Sequence, residues 1–600
     1  MTKTYGPGAM KAALMGATVL AIGAAAALLP TPNARADSAP PAAMGFQAVC
    51  TQEGAQAAAA GLSATITVKP IKFAMLRTST RYVAATAQRP AFCQVGGSFV
   101  TNPKTGKTAN FLATFPEKWN GKYLQLGCSG HCGQFFVSDP SLPPITVTAQ
   151  GYPNQIIEKG YASIATDEGH EGMESAAWAV RKDGSVDKDF IDDFLWRADK
   201  VLAKLGKEYT ASFYAHASGA PQKIAKSYFN GCSGGGRDAM VAASYFPEEF
   251  DGIIAGSPYS TVGMTFQASA VGYAQKRSPD AALTPALLSL FDRTVKAQCD
   301  GLDGVKDGLI QNPNACNFRP ERDLPKCSAG APAGQCFSDA QAETAAVFVN
   351  GITDEKGNLV QPGYSVSELG VVPFAMQMLS DPTLKVMVHG NDPAFDPASI
   401  FTFRRGGPGP ISDFHAVVPS AEVARARAAL GSGTGHFPEN TGRLMAARTK
   451  LLMWHNSSDE KLTPNSSINW YKQLAARHGG YAKVQQKARL FMLPGTTHCS
   501  ITGIAPNSFD AIGALEAWVE KGKAPDGLVA SVAARDYSPG APKSPNLSTP
   551  NYTMPLCRFP AMARYSGKGD VQDAKNWTCS PKDTRLLTIG ESGRQGGVLK

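Results

Sequence analysis

The sequence has no feature typical of a mature membrane protein or of a nucleic-acid-binding protein. After residue 36, no stretch reaches the roughly eighteen consecutive apolar residues that a transmembrane helix needs. Runs of Lys and Arg are absent as well, and the formal net charge of +9 is small for 600 residues, so neither a membrane nor a nucleic acid is expected as a partner. With 43% apolar and 18% charged residues, the sequence predicts a globular protein of more than one domain.

An export signal is predicted at the N-terminus. Lys3 and Lys11 precede an apolar run at residues 12–29, and Ala-Arg-Ala at 34–36 has the small-x-small pattern of a cleavage site. The alternative is a membrane anchor, which is disfavoured by the glycines within the run and by the prolines that follow it. The mature chain is therefore expected to begin near Asp37 and to be exported, either to the periplasm or out of the cell.

All twelve cysteines follow this segment. An even number of cysteines in an exported chain predicts disulfide bridges, although the count leaves their connectivity open. The cysteines are Cys50, Cys93, Cys128, Cys132, Cys232, Cys299, Cys316, Cys327, Cys336, Cys499, Cys557 and Cys579.

Strand-like and helix-like segments alternate in two blocks of the chain, which predicts a mainly parallel sheet covered on both faces. Between the blocks, residues 259–442 are rich in Pro, Gly and Asp and show weak periodicity, so we expect one α/β domain interrupted by a lid-like insertion. The predicted strands are 111–115, 123–126, 162–166, 227–230, 253–255, 451–454 and 488–493, and the predicted helices are 189–209, 237–245, 468–477 and 509–521. The expected organisation is a signal (1–36), a first catalytic part (37–258), the lid with a calcium loop (259–445) and a second catalytic part (446–600).

Residues 231–235, Gly-Cys-Ser-Gly-Gly, fit the G-x-S-x-G pattern at a junction from a strand to a helix. The turn is so tight that side chains two positions before and after the serine would collide with neighbouring backbone. It leaves Ser233 exposed at the edge of the sheet, where its hydroxyl needs a base to become nucleophilic. The pattern alone is only moderately specific, since glycine-rich turns with a serine are frequent.

Two later residues complete a candidate catalytic triad. In α/β hydrolases the chain order is Ser, then the acid, then His. Asp459 lies just past the strand that ends near His455, and His498 lies in the loop after the next strand. A lone histidine is usually structural, but the order and the strand context together favour His498 as general base and Asp459 as the residue that orients it.

The cysteines beside the triad give an independent argument. Cys232 precedes Ser233 and Cys499 follows His498. If serine and histidine share a hydrogen bond, the neighbouring Cα atoms fall within the roughly 4.4–6.8 Å of a disulfide. A Cys232–Cys499 bridge is therefore predicted; the alternative is two unrelated bridges that flank the site.

The pattern Cys232-Ser233, Asp459 and His498-Cys499 resembles the CS–D–HC signature of the tannase and feruloyl esterase family. Residues 165–170, Ala-Thr-Asp-Glu-Gly-His, and 251–258, Asp-Gly-Ile-Ile-Ala-Gly-Ser-Pro, are similar to further segments of that family. The resemblance covers nearly all of the mature chain. It implies an α/β-hydrolase fold with a large lid-domain insertion and hydrolysis of esters of aromatic acids. The family also includes mono(2-hydroxyethyl) terephthalate hydrolase.

The implied acyl transfer requires two donors to the oxyanion. We expect these to be the backbone N–H groups of Gly234 and of Cys128, which lies in the loop after an early strand. A metal site at Cys128, His131 and Cys132 is an alternative, although export favours a Cys128–Cys132 bridge. Relatives mostly have glycines in this loop, so its cysteines are a departure from the family pattern.

Residues 300–309 alternate carboxylates with glycines, a spacing that lets a tight loop direct several hard oxygens at one Ca²⁺. The segment resembles the structural calcium loop of the family; the alternative is an acidic surface turn. The resemblance implies ligands at Asp300, Asp303 and Asp307 (side chains) and at Val305 and Leu309 (carbonyls). Cys299 and Cys316 would close this loop, and the remaining bridges implied by the family are Cys50–Cys93, Cys327–Cys336 and Cys557–Cys579.

The expected substrate is a small aromatic ester of feruloyl or galloyl type. No Trp lies within residues 259–442, so no tryptophan of the lid can stack on an aromatic acid. Arg404 and Arg405 are candidates for a substrate carboxylate, and Leu462 for the pocket wall. A terephthalate monoester is the alternative within the family. A serine peptidase and a non-catalytic, calcium-stabilised binding protein are the alternatives from other classes.

Overall fold

The computed structural model describes residues 41–580, apart from residues 74–75, 79, 88, 136–152, 173–175, 368–375, 410, 432–440, 501–502, 533–548 and 550. The predicted export signal at 1–36 lies outside this part of the chain. Within it, no helix is both long and apolar enough to cross a membrane.

The secondary structure combines many short strands with helices of one to six turns. The strands are β1 (Ile66–Val68), β2 (Ile71–Phe73), β3 (Leu76–Thr78), β4 (Arg81–Val83), β5 (Phe92–Asn102), β6 (Lys107–Pro116), β7 (Lys122–Leu126), β8 (Ala162–Thr166), β9 (Lys226–Cys232), β10 (Gly252–Gly256), β11 (Ile352–Asp354), β12 (Leu359–Gln361), β13 (Thr402–Arg405), β14 (Phe414–Val418), β15 (Lys450–Asn456), β16 (Ala488–Leu493), β17 (Gly527–Ser531), β18 (Thr553–Cys557), β19 (Met562–Tyr565) and β20 (Trp577–Ser580). The α-helices are α1 (Phe46–Val49), α2 (Gln52–Ala58), α3 (Pro153–Glu158), α4 (Lys188–Asp192), α5 (Ala198–Ser218), α6 (Gly234–Tyr245), α7 (Thr261–Gln275), α8 (Pro285–Cys299), α9 (Pro320–Asp323), α10 (Asp339–Val349), α11 (Gln377–Pro382), α12 (Ser420–Leu430), α13 (Gly442–Ala446), α14 (Pro464–Arg477), α15 (Tyr481–Val484) and α16 (Ala511–Lys521).

A ten-stranded mixed sheet forms the centre of the protein, with the order β1-β5-β6-β8-β7-β9-β10-β15-β16 and with β4 paired to β5. The six strands from β8 to β16 are parallel, whereas β1, β4, β5 and β6 are antiparallel to their neighbours. The expectation of a mainly parallel sheet is thus confirmed for the six strands that carry the candidate site, and the other four strands add an antiparallel part that was not predicted. There a tight turn closed by the Gly106 N–H and the Asn102 carbonyl, 2.9 Å apart, joins β5 to β6 as a hairpin.

Strand β5 was not predicted because its centre is Gly96-Gly97, which interrupts the apolar pattern. The structure gives a reason for the second glycine. A Cβ on Gly97 would lie 2.6 Å from the ring of Phe111 and 2.6 Å from the carbonyl of Thr67, so no side chain fits between β1 and β6 at this point.

Helices cover both faces of the parallel strands, and alternate strand residues point into the two layers. Tyr228, Ile254, Leu452 and Phe491 pack in the layer under α16, with Leu515 and Trp518. Phe229, Ile253, Leu451 and Leu490 pack in the other layer, with residues of α5, α6 and α14. Burying each such side chain stabilises the fold by roughly 1.5–3 kcal/mol. The two apolar layers therefore hold the strands in place, and with them the strand ends that carry the candidate site.

The insertion, residues 259–445, lies between two neighbouring strands. β10 and β15 pair in parallel with Gly256 opposite Trp454, so the chain leaves the sheet after β10 and returns beside it. The insertion has helices α7–α13, a four-stranded sheet in the order β12-β11-β14-β13 and an apolar core around Phe291 and Phe348. Its sheet escaped prediction because its strands have only three to five residues.

The crossing of β9 and α6 leaves no room for side chains. A Cβ on Gly231 would lie 2.2 Å from the carbonyl oxygen of Gly235, and a Cβ on Gly127 would lie 2.5 Å from the Gly235 Cα atom. Because these neighbours are backbone atoms, neither can rotate away. The glycines are therefore required by close approach of strand and helix.

We expect Gly231→Ala to lower the free energy of unfolding by about 1–3 kcal/mol, since the added methyl overpacks backbone against backbone. Thermal unfolding of the variant and of Gly442→Ala measures this. Gly442 is a helical glycine with open space around it, so its replacement should leave the midpoint unchanged or slightly raised. Equal midpoints for the two variants would contradict the argument.

Candidate active site

Ser233 occupies the turn between β9 and α6 in a strained backbone conformation. Its φ of 65° and ψ of −120° are rare for a residue with a side chain. The conformation is held because the Ser233 N–H donates to the carbonyl of Gly256, 3.0 Å away on the neighbouring strand. The tight turn directs the hydroxyl out of the sheet edge and leaves it at the N-terminus of α6.

The structure brings the three predicted triad residues together. The Ser233 hydroxyl lies 2.9 Å from Nε2 of His498, and Nδ1 of His498 lies 2.8 Å from Oδ2 of Asp459. All three side chains are buried, with 8%, 5% and 2% of their residue surface exposed for Ser233, His498 and Asp459. Since a carboxylate only accepts, Nδ1 carries the proton and Nε2 is free to accept the serine proton.

Asp459 is held by several donors. Its Oδ1 accepts the N–H groups of Lys461 at 3.0 Å and Leu462 at 2.8 Å. Burial alone would raise the pKa of Asp459, but the charge of His498 and the hydrogen bonds from His455 and His498 hold it below its ordinary value. Asp459 therefore stays ionised beside the imidazole.

Glu460 is a second carboxyl group next to the triad that the sequence reasoning missed. Its Oε2 accepts the backbone N–H of His498 at 3.0 Å. Burial and the negative charge of Asp459 raise its pKa. Its position directly after the triad acid is the only sequence signal for it.

The predicted oxyanion donor at Cys128 is wrong, because its N–H is already engaged. It donates to Oδ2 of Asp238 at 3.2 Å, while the Cys128 carbonyl accepts the N–H of Gly235 at 2.9 Å. The next residues of this loop, Ser129 and Gly130, lie beside Gly234, where an added Cβ would be 2.5 Å from the Gly130 carbonyl oxygen. Among the described hydrogen bonds, none engages the N–H of Ser129 or Gly130.

A buried ionic cluster supports this loop and was also missed. Arg237 is fully buried; its Nη2 lies 2.7 Å from Oε2 of Glu168 and its Nε donates to Oδ1 of Asp238 at 2.9 Å. The guanidinium stacks over the ring of Phe194 at 3.9 Å. Its signal in the sequence was Arg237-Asp238, two charged residues within α6, where most other residues are small or apolar. The cluster links α6 to the loop through the Cys128 N–H.

Disulfides join the twelve cysteines in the six expected pairs. The Cα atoms of Cys232 and Cys499 are 6.1 Å apart, so a covalent bridge ties the residue before Ser233 to the residue after His498. Cys128 and Cys132 are bonded to each other, which removes their thiolates as ligands for the alternative metal site. The other pairs are Cys50–Cys93, Cys299–Cys316, Cys327–Cys336 and Cys557–Cys579.

The acidic loop after α8 carries the three predicted carboxylates, Asp300, Asp303 and Asp307, in one tight turn, and each accepts backbone N–H groups of the loop. Burial, followed by the charges of Asp307 and Asp300, raises the pKa of Asp303 to about 7. Gly308 N–H lies 3.1 Å from both carboxylate oxygens of Asp300, which folds the loop back on itself. A bound Ca²⁺ would offset the repulsion between these carboxylates.

The same loop touches the segment that carries His498. Leu309 packs against Gly495, where an added Cβ would lie 2.2 Å from the Leu309 Cδ1 atom. Leu309 also shares a small apolar cluster with Ala505, Tyr552 and Met554. The acidic loop is therefore packed against residues on either side of His498.

The predicted substrate residues have different surroundings. Leu462 is buried, with its N–H on Asp459, and belongs to the same apolar cluster as Tyr259. Arg405 is wrong as an anchor for a substrate carboxylate, because Glu321 and Glu343 already form ion pairs with it at the surface. Arg404 packs its guanidinium against Gly407. In the described part of the chain, no hydrogen bond or ion pair joins either arginine to the triad.

Comparison with known proteins places this geometry in a family. The model of the tannase and feruloyl esterase family matches residues 93–383 and 440–580. A probable feruloyl esterase of Arthroderma benhamiae is 29% identical over 481 residues, covering 78% of this chain and 81% of that one. Mono(2-hydroxyethyl) terephthalate hydrolase of Piscinibacter sakaiensis is 25% identical over 567 residues, covering 85% and 88%.

The crystal structure of feruloyl esterase B from Aspergillus oryzae superposes with a TM-score of 0.67 at 22% identity, covering 89% of this chain and 100% of that one. This similarity confirms the predicted α/β-hydrolase fold. The chain belongs to the tannase and feruloyl esterase family and is a carboxylic ester hydrolase.

Proposed function

We propose that the protein hydrolyses esters of aromatic carboxylic acids through an acyl-enzyme on Ser233. The observation that carries the proposal is the hydrogen-bonded chain from the Ser233 hydroxyl through His498 to Asp459 at a strained strand–helix turn. Two relatives are named for aromatic acyl groups, ferulate and terephthalate, which supports the substrate class.

In the first half-reaction, the Ser233 Oγ attacks the ester carbonyl carbon while Nε2 of His498 accepts the hydroxyl proton. Asp459 keeps Nδ1 protonated and stabilises the imidazolium that forms. The tetrahedral intermediate collapses when His498 returns the proton to the leaving alkoxide. Water then repeats the sequence on the acyl-enzyme, and the free acid leaves.

The negative oxygen of the intermediate requires donors that are in place beforehand. The Gly234 N–H, at the start of α6, is one. The second comes from the Ser129–Gly130 part of the loop, because that part lies against Gly234 while the Cys128 N–H is held by Asp238.

The preferred acyl group is a neutral, hydroxylated aromatic acid of feruloyl or galloyl type. A terephthalate monoester carries a carboxylate that needs a cation. Of the two arginines predicted for it, Arg405 is held by Glu321 and Glu343, whereas Arg404, whose Nε and Nη2 have no hydrogen-bond partner among the described residues, makes no hydrogen bond or ion pair with the triad.

Export and a structural Ca²⁺ complete the proposal. The N-terminal pattern and six disulfides support a protein that folds in an oxidising compartment. Asp300, Asp303 and Asp307, with the carbonyls of Val305 and Leu309, would hold the ion. When bound, it supplies charge that offsets the repulsion of the carboxylates.

Ser233→Ala should abolish hydrolysis, with a loss of at least about 10⁴-fold in kcat, because the nucleophile is removed. The assay uses methyl ferulate, methyl gallate, mono(2-hydroxyethyl) terephthalate and a p-nitroanilide peptide. Ser227→Ala, a serine at the opposite end of β9, is the matched control and should retain activity. Cleavage of the peptide alone would favour a peptidase. Absence of both hydrolysis and labelling by a serine-reactive phosphonate would favour the binding protein.

Replacing both Cys232 and Cys499 by Ser should lower kcat by up to about 10²-fold, because misplacement of nucleophile and base by even 1 Å is costly. The Cys327→Ser/Cys336→Ser double variant removes a short bridge in the insertion and should leave kcat within about twofold. Steady-state kinetics on methyl ferulate compares them. Equal losses in the two variants would show that the bridge at the triad has no special role.

Chelation of calcium should lower both the midpoint of thermal unfolding and kcat, since the acidic loop packs through Leu309 against Gly495. Added Ca²⁺ should restore both quantities in the wild type and in the surface variant Asp183→Asn, but not in Asp303→Asn. If Asp303→Asn responds to Ca²⁺ as the wild type does, the proposed ligand set is wrong.

A further inference from the structure

A second histidine contacts the acid of the triad. His455 is fully buried near the end of β15, four residues before Asp459. Its Nε2 lies 3.3 Å from Oδ2 of Asp459, the same oxygen that His498 contacts at 2.8 Å. The carboxylate oxygen is thus placed between two imidazole rings.

The surroundings of His455 assign its tautomer. Nε2 also lies 3.1 Å from the carbonyl of Leu462, and both neighbours of this nitrogen can only accept. Nε2 therefore carries the proton. Nδ1 lies 2.8 Å from the hydroxyl of Ser467 on α14, which donates to it. The N–H of His455 therefore donates to the Leu462 carbonyl and faces Oδ2 of Asp459 as a second, longer contact, and Ser467 keeps His455 in this tautomer.

With this contact, both carboxylate oxygens of Asp459 face N–H groups. Oδ1 accepts two backbone N–H groups, from Lys461 and Leu462, and Oδ2 faces the two imidazoles. A carboxylate held at both oxygens cannot rotate about its Cβ–Cγ bond without breaking several hydrogen bonds. The alignment of Oδ2 with Nδ1 of His498 is fixed accordingly.

We propose that His455 is a positioning residue of the triad: its Nε2–H holds Oδ2 of Asp459 so that His498 is oriented toward Ser233. The inference rests on the proposed role of Ser233, His498 and Asp459. It assigns a function to a side chain that touches neither the substrate nor the reacting atoms.

The test compares two replacements of His455. His455→Leu removes the donor, whereas the amide N–H of His455→Gln reaches about as far as Nε2 and can still donate to Oδ2. We expect His455→Leu to lower kcat on methyl ferulate at least tenfold with KM within about twofold, because the lost contact acts on the transition state rather than on substrate binding. His455→Gln should recover most of that loss. Ser467→Ala removes the hydroxyl that donates to Nδ1 of His455, so that either tautomer of His455 becomes possible while Asp459 is unchanged. It should give an intermediate loss of kcat.

His415→Leu is the matched control, since His415 is equally buried but lies in β14 of the insertion. It should lower the unfolding midpoint without changing kcat. A kcat of His455→Leu within twofold of the wild type would overturn the inference. So would an equal loss in His455→Gln and His455→Leu when both unfold at the same temperature. If His455→Leu does not fold, His455→Gln and Ser467→Ala decide: the inference requires the former to be the more active.

The rate of Ser233 labelling by a phosphonate separates this inference from the proposed function. It reports activation of the nucleophile whether or not a tested ester is a substrate. If the wild type is labelled but cleaves none of the esters, the proposed substrate class fails, and the order of labelling rates, wild type then Gln then Leu, still tests His455. If Ser233 is not labelled at all, both proposals are overturned.

Discussion

Close backbone contact at the crossing of β9 and α6 is the constraint on which the candidate site depends. Gly127, Gly231 and Gly235 approach so nearly that added Cβ atoms would fall 2.2–2.8 Å from facing backbone atoms. The approach forces Ser233 into its left-handed conformation and brings the Gly235 N–H within 2.9 Å of the Cys128 carbonyl. This one backbone contact therefore places both the turn of Ser233 and the loop of Cys128, Ser129 and Gly130, before any side chain contributes.

Side chains and disulfides then hold the loop of Cys128 and the loop of His498 in place. Asp238 holds the loop of Cys128 by accepting its N–H. The loop of His498 is held by the Cys232–Cys499 bridge and by packing of Leu309 on Gly495. Two of these contacts come from the segment around Ser233, through Cys232 and Asp238, and the third comes from the acidic loop of the insertion. In this arrangement the insertion contributes to the geometry of the base, which is more than the purely peripheral role expected of a loop outside the triad.

The sequence predicts the site better than its surroundings, for physical reasons. Ser233 directly follows a strand, whereas Asp459 and His498 lie three and five residues past later strands. Because the fold fixes their order, short-range patterns suffice to predict them. The Cys128 prediction failed because the direction of its N–H is set by Asp238, 110 residues later in the chain. His455 was noted only as the end of a strand, because its contact with Asp459 depends on tautomer control by Ser467. Strand β5 and the sheet of the insertion were missed because glycines and short strands give no clear period.

The ionic cluster of Arg237, Glu168 and Asp238 lies beside the loop of Cys128, and it gives a reason why contacts between distant parts of the chain are retained. Arg237 is buried with Glu168, Asp238 and, nearby, Asp199, so one cation faces three acids. Burial raises the pKa of Glu168, and burial with the charge of Asp238 raises that of Asp199 to about 7, so protons held by these acids reduce the excess negative charge. A buried ion pair is rarely more stable than an apolar replacement of similar volume, so stability is a weak reason to retain this cluster. Asp238 offers a better one: it accepts the Cys128 N–H and so ties α6 to the loop whose next residues lie beside Gly234.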